Sequence, residues 1–149
     1  MEGIIIREMS SGDLPEVHAL EDQCYSTPWS INSFKHELQN KDAILKAAVL
    51  NHHIIGYVCV RTILDMTHLL NLAVSPEFRR KGVGSMLLLE VIKDLKRLKP
   101  GIKLTLEVRQ SNTAAVKLYE GFGFKATGKR TGYYQKPHDD AVIMELDIN

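Results

Sequence analysis

A run of basic residues lies directly before a glycine-rich turn near the middle of the chain. Arg79, Arg80 and Lys81 precede the segment "GVG" at residues 82–84, and an apolar helical pattern follows. Free N–H groups at a helix N-terminus attract anions, and glycine lets an anion approach the backbone closely. The basic side chains add mobile positive charge at the same place. The combination indicates a pyrophosphate site, although an ordinary helix start with solvated basic residues would have the same sequence.

The segment before this turn, "LLNLAVSP" at residues 69–76, has the composition of a strand. Pro76 has no N–H to donate to a neighbouring strand, so we expect the sheet to open near this residue. Free N–H and C=O groups at such an opening can pair with an extended ligand that carries amides. A ligand with a pyrophosphate followed by an amide-rich arm is coenzyme A.

The elements that must position these residues follow from the apolar periodicity. It predicts a single domain over residues 1–149 in the order β-α-α-β-β-β-α-β-α-β-β. Three of the strands form an antiparallel meander between Ala43 and Val74, and the helix after Gly82 has apolar residues at three- and four-residue steps. Strands with interspersed helices favour a mixed α/β sheet that helices cover on both faces.

Composition excludes several classes of function. The 149 residues have a formal net charge of +1, so no overall field attracts nucleic acid or an anionic membrane. Cys24 and Cys59 match no disulfide or zinc spacing, and "HELQN" at residues 36–40 lacks the second histidine of a zinc helix. No apolar run approaches the ~20 residues of a membrane span, and the N-terminus does not resemble a signal peptide. We therefore expect a cytoplasmic protein without a metal.

Two segments resemble one enzyme family. The basic turn resembles the Q/R-x-x-G-x-G/A motif of the GNAT acetyltransferases, and "LEVRQSNTAAVKLYEGFGF" at residues 106–124 resembles the strand and helix that follow in that family. The segments "PWS" at residues 28–30 and "GYY" at residues 132–134 are most similar to the branch that acetylates protein N-termini, in particular the alanine of a ribosomal protein. The resemblance implies a seven-stranded, mostly antiparallel sheet, splayed between strands 4 and 5, with about four helices. It also implies acetyl-CoA as cosubstrate.

The resemblance also implies roles for particular residues. The residues that it implies contact the cosubstrate are Leu72, Ala73, Val74, Arg79, Arg80, Lys81, Gly82, Val83, Gly84, Ser85 and Asn112. Glu107 is the base and Tyr119 the acid. We expect Glu107 to be partly buried between apolar neighbours, which would make it a stronger base; the alternative is a surface glutamate paired with Arg109. Tyr119 has the alternative of a core aromatic, and Asn112 that of a helix cap.

The acceptor is predicted from fewer residues. Trp29, Tyr133 and Tyr134 are aromatics with polar tips, which suit a slot for the first residues of a peptide. If their strand is regular, only one of the two tyrosines faces the slot. We therefore expect the α-amine of a protein N-terminus as acceptor, with a monomer or weak dimer as the working form. The alternatives are a broader N-terminal acetyltransferase of archaeal type, an enzyme for lysine or small-molecule amines, and a non-catalytic module that senses acetyl-CoA.

Overall fold

The computed structural model describes residues 3–149, so Met1 and Glu2 of the predicted domain lie outside it. Strands and helices alternate in the predicted order. The strands are β1 (Ile5–Glu8), β2 (Ala43–Leu50), β3 (His53–Ile63), β4 (Met66–Val74), β5 (Lys103–Arg109), β6 (Lys125–Gln135) and β7 (His138–Asp147). The helices are α1 (Leu14–Cys24), α2 (Ile31–Gln39), α3 (Val83–Leu98) and α4 (Thr113–Gly121).

The seven strands form one sheet in the order β1-β2-β3-β4-β5-β7-β6. Every neighbouring pair is antiparallel except β4 and β5, which are parallel. The chain reaches β5 from β4 through α3, because a parallel neighbour requires a crossover. The predicted mixed, mostly antiparallel sheet and the meander from β2 to β4 are thus confirmed.

Helices cover both faces of this sheet. One face packs against α3, whose buried side chains Leu87, Leu88, Val91 and Leu95 recur at helical spacing. The other face packs against α1 and α2 in a second apolar cluster. Burying one such aliphatic side chain stabilises the fold by about 1.5–3 kcal/mol, so the apolar stripes of the helices hold the two layers on the sheet.

The parallel pair β4–β5 is short, and the sheet opens beyond it. Met66, Thr67 and His68 are the β4 residues that pair with β5, whereas β4 stays paired with β3 as far as Val74. The splay between the fourth and fifth strands is therefore confirmed. Its predicted position near Pro76 is wrong, because the strands separate directly after His68, where β4 follows β3 and β5 follows β7. We call this opening the seam.

A bulge in β4 lies at the start of the seam. Leu69 pairs with Val60 and Asn71 pairs with Cys59, so Leu70 has no opposite residue in β3. An extra residue in one strand bends that strand and increases its twist, which helps to turn β4 away from β5. Among the described residues, no helix is long and apolar enough to cross a membrane, and both cysteines are free thiols.

Candidate active site

The seam opens into a cavity of about 680 Å³ that reaches both faces of the sheet. It is lined by residues of α1, β4, β5, α4, β6 and β7 and of the segment between α1 and α2. Seven of the predicted site residues line it together, namely Trp29, Leu72, Glu107, Asn112, Tyr119, Tyr133 and Tyr134. The structure thus brings the predicted base, acid and acceptor-side aromatics to one place.

The open edge of β4 presents backbone groups to the seam. Ser75 donates its N–H to the Ile55 carbonyl of β3 at 2.8 Å, and the N–H and C=O groups of a strand alternate in direction. The backbone groups of Leu72 and Val74 therefore point away from β3 and into the seam, whereas those of Ala73 point toward β3. Leu72 and Val74, but not Ala73, therefore direct backbone N–H and C=O groups into the seam, where the acyl arm is predicted to lie.

Part of this edge is bonded within the chain. The Tyr25 hydroxyl donates to the Leu72 carbonyl at 2.8 Å, and Arg79 Nε donates to the Val74 carbonyl at 3.1 Å. The second bond holds the exposed Arg79 side chain at the end of β4, and its predicted contact with the cosubstrate stays a prediction. Within residues 3–149 the Val74 N–H has no partner, which leaves one free donor in the seam.

The first turn of α3 lies against the same end of β4. Gly82 precedes the helix with φ of 82°, and no side chain caps the first turn. The N–H groups of Val83, Gly84 and Ser85 are therefore available to an anion. A side chain at Gly82 would meet no atom within 4 Å, and one at Gly84 would lie 3.8 Å from Val74 Cγ2. These free amides thus lie close to the end of β4, and Arg80 and Lys81 directly before them are exposed.

Glu107 is more exposed than predicted. A third of its side-chain surface is accessible, and Oε2 accepts a bond from Arg130 Nη1 at 2.9 Å. The expected burial and the alternative pairing with Arg109 are both wrong. Arg109 turns to the β6–β7 loop and donates to the carbonyls of Pro137 at 2.7 Å and Lys136 at 3.0 Å. Arg130 reaches Glu107 because β6 lies next to β7 on the side of the sheet beyond β5.

Tyr119 is buried, with its ring 5.5 Å from that of Phe124. Burial, reinforced by Tyr134, raises its pKa above the usual value for tyrosine, so the hydroxyl stays protonated and able to donate. Among the described residues no group bonds this hydroxyl. Asn112 caps α4, because its Oδ1 accepts a bond from the Ala115 N–H at 3.1 Å, and it also lines the cavity. The structure is therefore compatible with both predicted roles of Asn112, as a helix cap and as a residue that contacts the cosubstrate.

The three acceptor-side aromatics line the cavity. Trp29 packs 5.2 Å from Phe34. Tyr133 and Tyr134 both line the cavity, because the pairing of β6 with β7 is irregular between Arg130 and Tyr134. The alternation that would have turned one of them away requires a regular strand, and this strand is not regular.

Two polar residues of the cavity were not predicted from the sequence. Glu21 and Asn71 are buried polar residues that line the cavity. Glu21 interrupts the apolar pattern of α1, and Asn71 interrupts that of "LLNLAV". A polar residue at an apolar position is the feature of the sequence that could have identified each of them. No group of three or more histidine, cysteine or acidic side chains within residues 3–149 could hold a metal ion.

The comparison with known proteins agrees with this geometry. Residues 14–124 match the model of the acetyltransferase (GNAT) family. This chain therefore belongs to the GNAT acetyltransferase family, and the predicted family, fold and acyltransferase class are confirmed.

Individual relatives cover nearly the whole chain. It is 36% identical over 143 residues to the [ribosomal protein bS18]-alanine N-acetyltransferase of Salmonella typhimurium, covering 95% of each chain. The crystal structure of the ribosomal-protein-S18-alanine N-acetyltransferase from Escherichia coli superimposes with a TM-score of 0.88 at 33% identity, covering 98% of this chain and 94% of the other. Arabidopsis thaliana NAA60 in complex with acetyl-CoA shares the fold, with a TM-score of 0.85 at 21% identity and coverage of 98% and 99%.

Proposed function

We propose that this chain transfers an acetyl group from acetyl-CoA to the α-amine of a protein N-terminus, with the N-terminal alanine of a small-subunit ribosomal protein as its acceptor. The observation that carries the proposal is the seam, where Glu107 and Tyr119 line one cavity beside the free Val74 N–H. The acceptor rests on the full-length similarity to relatives named for that reaction. We place the reaction in the cytoplasm.

The chain has groups that fit both ends of acetyl-CoA. The uncapped amides of Val83, Gly84 and Ser85 would hold the pyrophosphate, with Arg80 and Lys81 beside them. The amide-bearing arm would lie along the edge of β4, where its amides would replace the bonds that Tyr25 and Arg79 make to the Leu72 and Val74 carbonyls. When bound, acetyl-CoA supplies an acyl thioester to the seam.

Glu107 has the position of a base for the acceptor. The α-amine of a peptide has a pKa of about 7.7–8.0, so most of it is protonated at neutral pH and cannot attack. Glu107 lines the cavity with its carboxylate fixed by Arg130, and it would take the proton directly or through a water. A lysine side chain, with a pKa near 10.4, would demand more of the same base.

Two donors would serve the other atoms of the reaction. The Val74 N–H points into the seam and would stabilise negative charge on the acyl oxygen, an effect typically of about 3 kcal/mol per donor. The Tyr119 hydroxyl is protonated and without a partner among the described residues, so it would donate to the departing sulfur. Trp29, Tyr133 and Tyr134 would contact the first residues of the acceptor.

A turnover assay with acetyl-CoA tests this proposal. The acceptors are peptides that differ only in the first residue (alanine, serine, methionine or glycine), each with a free and with a blocked N-terminus, together with a blocked peptide that contains lysine. We expect turnover on free N-termini with alanine preferred. Equal turnover on all first residues would instead indicate the broader N-terminal enzyme. Turnover on the blocked lysine peptide alone would contradict the proposal, as would binding of acetyl-CoA without any turnover.

A further inference from the structure

A tyrosine side chain occupies part of the open edge of β4. The Tyr25 hydroxyl donates to the Leu72 carbonyl at 2.8 Å and accepts from the Leu72 N–H at 3.4 Å. An extended ligand that adds to the edge of a sheet pairs with these same backbone N–H and C=O groups. An oxygen so close to both groups fills the space that an amide of the cosubstrate arm would need.

The chain on each side of Tyr25 is held, which keeps the hydroxyl at Leu72. Before it, at the end of α1, the Tyr25 N–H donates to the Glu21 carbonyl at 3.0 Å. After it, the Ser26 hydroxyl donates to the Lys136 carbonyl in the turn between β6 and β7 at 2.5 Å. A group that is already positioned loses little conformational entropy when it forms a bond. Tyr25 is therefore an effective competitor for the Leu72 backbone groups.

The Tyr25 ring is not part of the core. Tyr25 is 37% exposed, and it belongs to neither of the two apolar clusters that hold the helices on the sheet. It follows Cys24, the last residue of α1, so a rotation of its side chain does not require the helix to move. Displacement of the hydroxyl by a ligand therefore costs mainly the bonds to Leu72.

We propose that Tyr25 competes with acetyl-CoA for the Leu72 backbone groups, so that its hydroxyl keeps the edge of β4 closed in the free protein. The cosubstrate arm binds this edge only after the hydroxyl has moved away, and this requirement lowers its apparent affinity. Removing the hydroxyl should therefore tighten binding, whereas removing a group that contacts the ligand would weaken it. The inference rests on the proposed function and adds to it a residue that limits the affinity for the cosubstrate.

The test compares the dissociation constants of CoA, measured by calorimetry, for the wild-type chain and two tyrosine variants. Tyr25→Phe removes the competing hydroxyl. The control, Tyr134→Phe, also removes a hydroxyl from a residue of the cavity, but no group within residues 3–149 bonds that hydroxyl. The net effect of one intramolecular hydrogen bond is a factor of about five in an equilibrium constant. Tyr25→Phe should therefore bind CoA about fivefold more tightly than wild type, and Tyr134→Phe should stay within about twofold.

A ligand without the arm shows where the effect arises. ADP has the diphosphate that the first turn of α3 would hold, but it has no amide-bearing arm to reach Leu72. It should therefore bind to Tyr25→Phe and to wild type with equal affinity, measured by competition with CoA. If Tyr25→Phe does not fold, Tyr25→Leu, which also lacks the hydroxyl, carries the same expectations.

The outcomes separate this inference from the proposed function. An unchanged or weaker CoA affinity in Tyr25→Phe would overturn the competition, because the hydroxyl would then be neutral or a contact of the ligand. An equal gain for ADP and CoA would overturn it too, because the effect would not arise at the arm. Either result leaves the proposed function intact if the wild-type chain acetylates a free α-amine. A wild-type chain that binds CoA but acetylates no free α-amine would overturn the proposed function, while the comparison of affinities would still decide the role of Tyr25.

Discussion

Replacing Glu107 by glutamine removes the proposed base and keeps the size of the side chain. The lost ion pair with Arg130 is exposed, with 52% of the arginine and 33% of the glutamate side chain accessible. Exposed pairs contribute about 0–1 kcal/mol to stability, so Glu107→Gln should melt within a few degrees of wild type. General base catalysis typically contributes about 100- to 10,000-fold. We therefore expect a fall of at least 100-fold in kcat at pH 7 without a matching loss of stability.

The pH profile sharpens this prediction. Without a base, only acceptor molecules that are already neutral can react. For an amine with a pKa near 7.8, the neutral fraction rises about sevenfold between pH 7 and pH 9. The deficit of Glu107→Gln relative to wild type should therefore be largest at neutral pH and should shrink by roughly that factor in alkaline buffer.

Glu145→Gln is a matched control for this variant. Glu145 lies on β7 opposite Thr105 and is paired with Lys103 at 3.6 Å, but it does not line the cavity. Steady-state assays with the alanine peptide should show near wild-type kcat for Glu145→Gln. If Glu107→Gln has wild-type kcat at pH 7, or if both variants lose activity equally, Glu107 is not the base.

Three further predictions concern the cosubstrate, the acid and acid stability. Gly84→Asp should weaken CoA binding about tenfold or more relative to the neutral variant Gly84→Asn. A Cβ at this position fits at 3.5 Å from Leu118, so the two variants differ toward a diphosphate only in their charge. Equal CoA affinities of the two variants by calorimetry would refute the anion site. Tyr119→Phe should lower kcat with little change in melting temperature, because the hydroxyl has no partner among the described residues; an unchanged kcat would leave Tyr119 a core aromatic. The Arg7 guanidinium lowers the pKa of Asp13 to about 2, so the stability that Asp13 contributes is complete above about pH 4 and is lost as the pH falls toward 2. Asp13→Asn should remove this slope in acid titrations, and an unaltered slope would contradict the pairing.

The elements were predictable where a local pattern determined them. The helical spacing of apolar residues predicted α3, and Ser30 caps α2 as its position before the helix suggests, because its Oγ accepts the Ser33 N–H at 3.1 Å. The resemblance to GNAT motifs implied that the sheet is splayed between strands 4 and 5, but only the structure shows that the strands separate after His68. Pro76 marked the end of β4, whereas the opening depends on the bulge at Leu70, and "LLNLAV" contains no glycine or proline to signal a bulge.

The site was less predictable because its contacts join distant parts of the chain. The choice of Arg130 over Arg109 as the partner of Glu107 depends on how β6 lies beyond β7, which sequence spacing does not specify. Glu21 and Asn71 are fifty residues apart. Glu21 follows Leu14 and Val17 by seven and four residues, within the apolar stripe of α1, so its burial could have been suspected, but its partners could not.

The central claim is that the seam and the first turn of α3 together bind acetyl-CoA. Its most direct test is a nuclear magnetic resonance titration that follows the backbone amides of Val74, Gly84 and Ser85, with Gly101 beyond the far end of α3 as internal control. We predict that acetyl-CoA shifts the first three resonances and leaves the Gly101 resonance in place. Saturating acetyl-CoA that leaves the Val74, Gly84 and Ser85 amides unmoved would contradict the claim.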